Sequence, residues 1–338
     1  MITGKNILIC TGIYPPDVGG PAKYALNLEQ EFLRMGHSVK VLAYGVEKKM
    51  PIGIRHVWYF LRTIFALAKV DLIIGLDIFS TGFPAVLAGK IFGKKTILRV
   101  GGDFLWETYV ESTGNLIKLK DFYANQPPLS LKFKIIAFLQ KFALKNATVL
   151  AFNTKWHAEI FEKVYELKKD AIFIVENFYK KEKETSPYSR KNYIFAGRLI
   201  KLKNTEALSS AFEEAKKERK DIELEVISDM QQKELLEQIK NCYAVILVSI
   251  SDVNPNIIGD AVRFGKPFIV TKETGLPEKV KNMGLLVDPL DQKDIKEKII
   301  KLLNTDTYEE YRQRIISSDF AHSWNDIAKE FLEIYKNL

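Results

Sequence analysis

Ser251-Asp252-Val253-Asn254-Pro255-Asn256-Ile257-Ile258-Gly259-Asp260-Ala261-Val262-Arg263-Phe264-Gly265-Lys266-Pro267 places two carboxylates, Asp252 and Asp260, eight residues apart. The run before it, Ala244 to Ser249, is short, apolar and rich in β-branched residues, which reads as a buried strand. The run after Pro255 reads as a helix: Asn254 can cap it, Pro255 suits its first position and Gly265 can end it. A second apolar run, Pro267 to Thr271, follows. One acid therefore lies in a strand-to-helix loop and the other about a turn into the helix. In an open parallel sheet, ligands bind at the carboxyl ends of the strands. A helix N-terminus there favours phosphate, and carboxylates favour hydroxyls. A nucleotide-linked sugar carries both.

The same alternation extends along the chain. Strand-like runs at Asn6–Thr11, Ser38–Ala43, Asp71–Leu76, Lys95–Val100, Thr148–Phe152 and Ile172–Glu176 are short and apolar, as parallel strands covered on both faces should be. Helical patterns, including Ala22–Met35 and Phe83–Ile91, separate most of them. A polar, charged stretch, Lys180 to Lys191, then interrupts the pattern. It restarts with Tyr193–Ala196, Asn204–Lys217, Ile222–Ile227, Gln231–Asn241 and Ala244–Ser249. Three helical stretches close the chain near Gln292–Leu303, Thr307–Ser317 and Asn325–Lys336. The last either crosses back to brace the first domain or simply covers the end of the second. The pattern predicts an α/β fold of two doubly wound, Rossmann-like domains facing a cleft. Its expected parts are a first domain at 1–178, a linker at 179–191, a second domain at 192–322, and a terminal helix at 323–338 packed back on the first.

At 338 residues the chain exceeds one ordinary core, and 47% apolar content marks a folded protein. Two cysteines, Cys10 and Cys242, are too few for a disulfide framework or a metal site and point to a reducing compartment. Met1 to Asn6 runs straight into a strand-like segment without a secretory leader, and no apolar stretch reaches membrane-spanning length. A cytoplasmic location is the expectation. The formal charge of +8 is unevenly placed: residues 177–338 hold 27 basic and 27 acidic residues, leaving 23 basic and 15 acidic in 1–176. A basic first half suits an anionic partner, although a lysine-rich solvated face has the same composition.

Two further loops invite chemistry. The first strand opens into Thr11-Gly12-Ile13-Tyr14-Pro15-Pro16-Asp17-Val18-Gly19-Gly20-Pro21 before a helix. Gly19 and Gly20 permit close backbone approach, but the spacing is not the dinucleotide G-x-G-x-x-G, which disfavours a nicotinamide enzyme. The second series opens with Ala196-Gly197-Arg198-Leu199-Ile200-Lys201-Leu202-Lys203-Asn204. Arg198 offers a planar fork to phosphate oxygens and Lys203 a point charge, or both are ordinary solvated cations.

Taken together, Gly19-Gly20, Gly197-Arg198-Leu199-x3-Lys203, Asp252-x7-Asp260 with Ala261-x3-Gly265-x-Pro267, Gly275-Leu276-Pro277-Glu278, Leu286-Val287-Asp288-Pro289 and Ser323-Trp324 resemble retaining glycosyltransferase family four, among the glycosyl transferases of group 1. The resemblance covers nearly the whole chain and implies the GT-B architecture. It implies a nucleoside diphosphate sugar as donor; with Arg198 and Lys203 to neutralise the diphosphate and no metal-ligand cluster in the sequence, no cofactor or metal is expected. Arg198 and Lys203 would hold the diphosphate, Asp260 the ribose hydroxyls and Asp252 the donor sugar. Gly19, Gly20, Gly197, Asn256 and Ile257 complete the implied donor-binding set. Arg198, Lys203 and Asp252 are the implied catalytic residues, and Asp103 joins them as a candidate from its place in the loop after Lys95–Val100. Three departures stand out. Both family glutamates are aspartate here. Asn204 replaces a glycine, which is tolerable where φ is ordinary. The loop after Lys95–Val100, where the family often has a histidine, reads Gly101-Gly102-Asp103-Phe104-Leu105-Trp106-Glu107. Asp103 can orient an acceptor hydroxyl, act as base, or merely cap a helix. None of the four histidines falls in that loop: His37 reads as a turn residue, His322 precedes the last helix, and His56 and His157 sit in helical runs.

Residues 115–145 contain Lys118, Lys120, Lys132, Lys134, Lys141 and Lys145 against Asp121 alone. Leu131, Ile135, Phe138, Leu139 and Phe142 share one helical face, with Lys134, Lys141 and Lys145 on its flank. This suits a helix resting on an anionic bilayer, extended by the apolar run from Trp58 to Ala68. A buried domain helix with solvated lysines accounts for it equally well. Nucleic acid fits less well, because no aromatic-and-basic binding motif accompanies the charge. The expected function is transfer of a sugar, with retention, to a glycan or lipid-linked acceptor, in cell-surface polysaccharide or glycolipid synthesis. The place would be the cytoplasm or, peripherally, the inner face of the cell membrane. The alternatives are a sugar-nucleotide epimerase of similar shape and a binding or scaffold protein that kept the fold without turnover.

Overall fold

Short apolar runs flanked by turn residues become the strands of two parallel sheets. The computed structural model describes residues 4–17, 19–51 and 53–338. Met1 to Thr3, read above as the start of a leaderless segment, and Val18 and Ile52 lie outside the described residues. The strands are β1 (Asn6–Thr11), β2 (Ser38–Ala43), β3 (Leu72–Gly75), β4 (Lys95–Val100), β5 (Val149–Phe152), β6 (Ile172–Ile174), β7 (Lys191–Ala196), β8 (Ile222–Ile227), β9 (Ala244–Leu247), β10 (Phe268–Thr271) and β11 (Leu285–Val287). The helices are α1 (Gly20–Arg34), α2 (Ile54–Ala66), α3 (Gly82–Ile91), α4 (Phe104–Thr113), α5 (Leu119–Asn125), α6 (Leu131–Asn146), α7 (Lys155–Tyr165), α8 (Thr205–Glu218), α9 (Gln232–Asn241), α10 (Asn256–Arg263), α11 (Glu278–Lys281), α12 (Gln292–Leu302), α13 (Thr305–Ile316) and α14 (Trp324–Lys336). One sheet runs β2-β1-β3-β4-β5-β6 and the other β11-β10-β9-β7-β8.

The chain divides into two compact units. The first holds 1–105, 127–177 and 323–338. Its strand residues alternate between two apolar layers, as the pleat requires. Ile7, Ile9, Leu72 and Ile74 pack with Tyr24, Leu28 and Phe32 of α1 and with Ile327, Phe331 and Leu332 of α14. Leu8, Cys10 and Ile73 face the other way, onto Tyr59 and Ala66 of α2 and Ala85 and Ala88 of α3. The terminal helix thus belongs to the first unit, where Tyr24 meets Trp324 edge to face, with ring centroids 5.1 Å apart. Its start is fixed by a capping box between Ser323 and Asp326.

The second unit holds 106–126 and 178–322. Two expectations are corrected here. The segment 106–126, read as part of the first domain, packs with the second unit. The reason is polar: the Glu111 carboxylate accepts from the backbone N–H groups of Lys201 (3.2 Å) and Leu202 (2.9 Å), and Leu119 N donates to Ser251 Oγ at 3.0 Å. Residues 179–191, read as a linker, lie packed along the same unit. Arg263 holds Glu184 through Nε (3.0 Å) and Nη2 (2.7 Å), the buried Lys266 donates to Ser186 O at 2.9 Å, and Tyr188 meets Tyr243 and Tyr308 edge to face. Tyr179 and His322 exchange backbone hydrogen bonds of 2.9 and 3.0 Å, so the second unit's two chain ends are stitched together.

The remaining histidines of the sequence reading are structural. His37 is buried and accepts from Lys5 N at 3.3 Å, and His56 is buried against Phe79. His157 is fully buried between Phe152 and Phe161, and among the described residues neither ring nitrogen has a hydrogen-bond partner.

Phe331 fills the interior of the first unit, so Phe331→Ala is expected to cost about 3–5 kcal/mol of unfolding free energy. Denaturant titration checks this, and a loss below ~1 kcal/mol would contradict the packing. Burial also pushes the His157 imidazole down to about 3 from its usual 6.5. Between those values the unfolded chain binds a proton that the folded chain does not. Stability is therefore complete above pH 6.5 and falls as pH drops towards about 3. The expected slope is about 1.4 kcal/mol per pH unit. His157→Leu should flatten it in a pH series of urea titrations.

Candidate active site

In the second sheet β7 lies between β9 and β8, so the chain leaves β7 first to one side and returns on the other. Loops that follow β7 and β9 therefore diverge, leaving a crevice at this switch point, where open α/β sheets bind ligands. The loop after β7 carries Gly197, Arg198 and Lys203, and the loop after β9 carries Asp252. Lys203 Nζ and Asp252 Oδ2 meet at 2.6 Å across it, both half-buried. The structure thus brings together one member of the cationic pair and one of the acidic pair. Arg198 is exposed and makes no ion pair among the described residues.

Three backbone contacts hold these loops in place. Ile250 N donates to Leu202 O at 2.9 Å, Asp252 N donates to Glu273 O at 2.9 Å, and Asp252 bridges Thr274 in parallel. The second acid, Asp260, is partly exposed in the second turn of α10. That helix starts one residue later than the sequence suggests. Pro255 is the N-cap, and Asn254 caps nothing because its Oδ1 accepts from the Tyr179 hydroxyl at 3.2 Å. Asn256 opens the helix exposed, whereas Ile257 is buried in the core and can offer a ligand only its backbone. Gly197 has ordinary surroundings: a Cβ there would sit 3.6 Å from Phe195 and 3.8 Å from Lys203. In the first unit, Gly19 caps α1 with φ of 152°, where a side chain would be strained and would press on Ile13 at 3.1 Å. Gly20 begins α1 and is exposed.

Asp103 requires correction as a catalytic candidate. It is 1% exposed, and its Oδ1 accepts from Leu105 N (3.0 Å) and from Gln140 Nε2 (2.9 Å). A carboxylate so placed ties the start of α4 to α6 and is not presented as a base. The reading of Asn204 also changes. Its φ is +56°, in the left-handed region rather than the ordinary range expected from the sequence. Asparagine tolerates that region, and here its Nδ2 also donates to Val248 O (3.3 Å) and Pro289 O (2.6 Å).

Sequence reasoning missed a cluster of ion pairs, two lysines with two carboxylates, beside these loops. Lys118 lies 3.6 Å from Glu273 and 3.3 Å from Asp288, and Lys272 lies 2.8 Å from Asp288. Burial works to raise the Asp288 carboxyl, but hydrogen bonds from Lys272 and Lys118 outweigh it and hold it at about 2. No periodicity in 106–126 signals this role, because it depends on which unit the segment packs against.

The architecture so defined is the GT-B fold, two Rossmann-like α/β units. Residues 223–319 match the family Glycosyl transferases group 1, so the likeness to that group read from the motifs holds over that stretch. No curated protein matches. Among solved structures the chain is similar to sucrose-phosphate synthase from Thermosynechococcus elongatus (TM-score 0.73, 12% identity, 98% of each chain covered). It is similar to Anabaena HepE in complex with UDP-glucose (TM-score 0.67, 13% identity, 98% of this chain and 100% of that one). It is also similar to WaaG, a glycosyltransferase involved in lipopolysaccharide biosynthesis (TM-score 0.67, 12% identity, 98% of this chain and 100% of that one). At these identities the likeness establishes the fold.

Asn204→Val should be strongly destabilising, because a β-branched residue is strained at this φ and two buried carbonyls lose their donor. The expected loss is about 2–4 kcal/mol, against a smaller loss for Asn204→Gly, which keeps the backbone at ease. Equal losses for the two variants in thermal unfolding would refute the backbone argument.

Proposed function

We propose that this chain transfers a sugar from a nucleoside diphosphate sugar to a glycan or lipid-linked acceptor, with retention, in cell-surface polysaccharide or glycolipid synthesis. The observation that carries the reading is the exposed Arg198, free of any ion pair among the described residues, in the same switch-point loop as the Lys203–Asp252 pair. A diphosphate needs cations at such a crevice, and a sugar needs hydroxyl acceptors. Arg198 supplies a planar fork for phosphate oxygens, Lys203 a second positive charge, and Asp252 a carboxylate for sugar hydroxyls. Asp260 and the backbone of Asn256 and Ile257 serve the nucleoside end, and Gly197 lets a phosphate approach. HepE was crystallised with UDP-glucose, and WaaG acts in lipopolysaccharide biosynthesis; both support a nucleotide sugar and a lipid-borne acceptor.

In the step itself, the acceptor oxygen bonds to the sugar's anomeric carbon on the face from which the phosphate oxygen departs. The electron pair of the broken bond passes to the diphosphate. The acceptor's hydroxyl proton goes to that same phosphate oxygen. This leaves no task for a base at Asp103, in keeping with its burial. Stabilising the charge that develops on the leaving diphosphate is then the largest contribution, and it falls to Arg198 and Lys203 without a metal.

Arg198→Ala is expected to lower turnover by about 10²–10³-fold, with an unchanged melting temperature because the side chain is exposed and unpaired. Release of nucleoside diphosphate, measured over a panel of donors with and without acceptor glycans, reads this directly. Full activity of the variant would remove the diphosphate assignment, and donor binding without release on any acceptor would favour a binding protein.

A further inference from the structure

We propose that one helical face of the first unit docks on an anionic phospholipid bilayer, with α2 burying an apolar stripe among the lipids. The inference extends the lipid-linked acceptor reading above, on which its meaning for transfer rests, whereas bilayer binding is measurable without any transfer.

A surface helix normally turns a polar stripe to water. α2 does not. Its inner side is buried through His56, Tyr59, Thr63 and Ala66, with the Tyr59 hydroxyl donating to Leu42 O at 2.6 Å. Its outer side is Ile54, Val57, Trp58, Leu61 and Phe65, all exposed, with Phe65 82% exposed. Their spacing of three or four residues sets them along one line. On the same layer α3 packs against α2 on one side and α6 on the other. α6 repeats the arrangement: Phe133, Ile136, Ala143 and Leu144 are buried, while Leu131, Ile135 and Phe138 face out, 74%, 50% and 68% exposed. The apolar face that the sequence joined to a lysine flank is thus the outer one.

Charge selects the occupant. α2, α3 and α6 contain seven lysines and arginines and no aspartate or glutamate. Arg62 is paired with the buried Glu47 and Lys145 lies 3.6 Å from Glu166. Lys132, Lys134 and Lys141 are exposed and make no ion pair among the described residues. Their stems can run along the apolar stripe while their ammonium groups reach lipid phosphates. Apolar burial and attraction to anionic headgroups together are what hold interfacial helices. Among the described residues no helix is long and apolar enough to cross a membrane, so the contact is with one leaflet. Lys118 and Lys120, grouped with this surface on sequence alone, fall in the second unit, where Lys118 is ion-paired.

The test is co-sedimentation of the full chain with vesicles of phosphatidylcholine alone or mixed with phosphatidylglycerol, in low and high salt, without donor or acceptor. The native chain should sediment with the mixed vesicles and not with the neutral ones. The double variant Trp58→Glu with Phe65→Glu should bind them about tenfold more weakly or worse in either salt. Lys134→Glu with Lys141→Glu should lose the salt-sensitive part. All these positions are exposed, and circular dichroism verifies that the variants fold. Native protein left in the supernatant with mixed vesicles would overturn the proposal, as would undiminished binding of the α2 variant. A native dimer that the α2 variant turns into a monomer, seen by sedimentation velocity, would assign the face to a second copy instead. Turnover on a water-soluble acceptor should be the same for the α2 variant and the native chain. A chain that binds vesicles but never releases nucleoside diphosphate would keep the bilayer face and lose only the transfer reading.

Discussion

Lys203 and Asp252 meet because β7 and β9 are neighbours that the chain does not visit in succession. That single topological fact puts a cation and a carboxylate from segments 49 residues apart on either side of one crevice. The contact is only half-buried, so neither ion is stripped of water fully, and neither is free to wander. The ion pair holds both side chains in one place. In the transfer reading proposed above, a diphosphate would give Lys203 a second anion, and sugar hydroxyls would give Asp252 new donors.

The frame around that contact is made of hydrogen bonds that end on backbone groups. The loop after β7 is held by Ile250 N, by the Glu111 carboxylate and by Asn204, whose side chain reaches the ends of two further loops. Glycine at position 204 would relieve the backbone but join nothing. Asparagine accepts a little strain and adds two hydrogen bonds, so a departure from the family pattern here strengthens the frame.

Much of this was legible in the residues, for a physical reason. Parallel strands buried on both faces must be short and apolar, and their loops must carry the polar chemistry, so βα boundaries and the candidate loops stood out. What failed was of another kind. Asp103 is an acid in the right loop, but only packing shows that Gln140 and Leu105 occupy its oxygen. Residues 106–126 carry no mark of which unit they join, because that choice is made by Glu111, Leu119 and their distant partners. Asn204 looked like an indifferent substitution because sequence does not state φ.

The amphipathic pattern of α6 shows the same limit from the other side. Periodicity marks a face but not whether it points inward. Here two helical faces could each have served as the core side, and the one richer in lysine neighbours was left in water. A core-forming helix has no need of a second apolar stripe, since leaving large apolar groups exposed invites association. That α2 and α6 both carry one, around a layer without a single carboxylate in its three helices, makes chance solvation a poor account. Seven of the 23 basic residues in 1–176 lie on these three helices, beside that apolar surface.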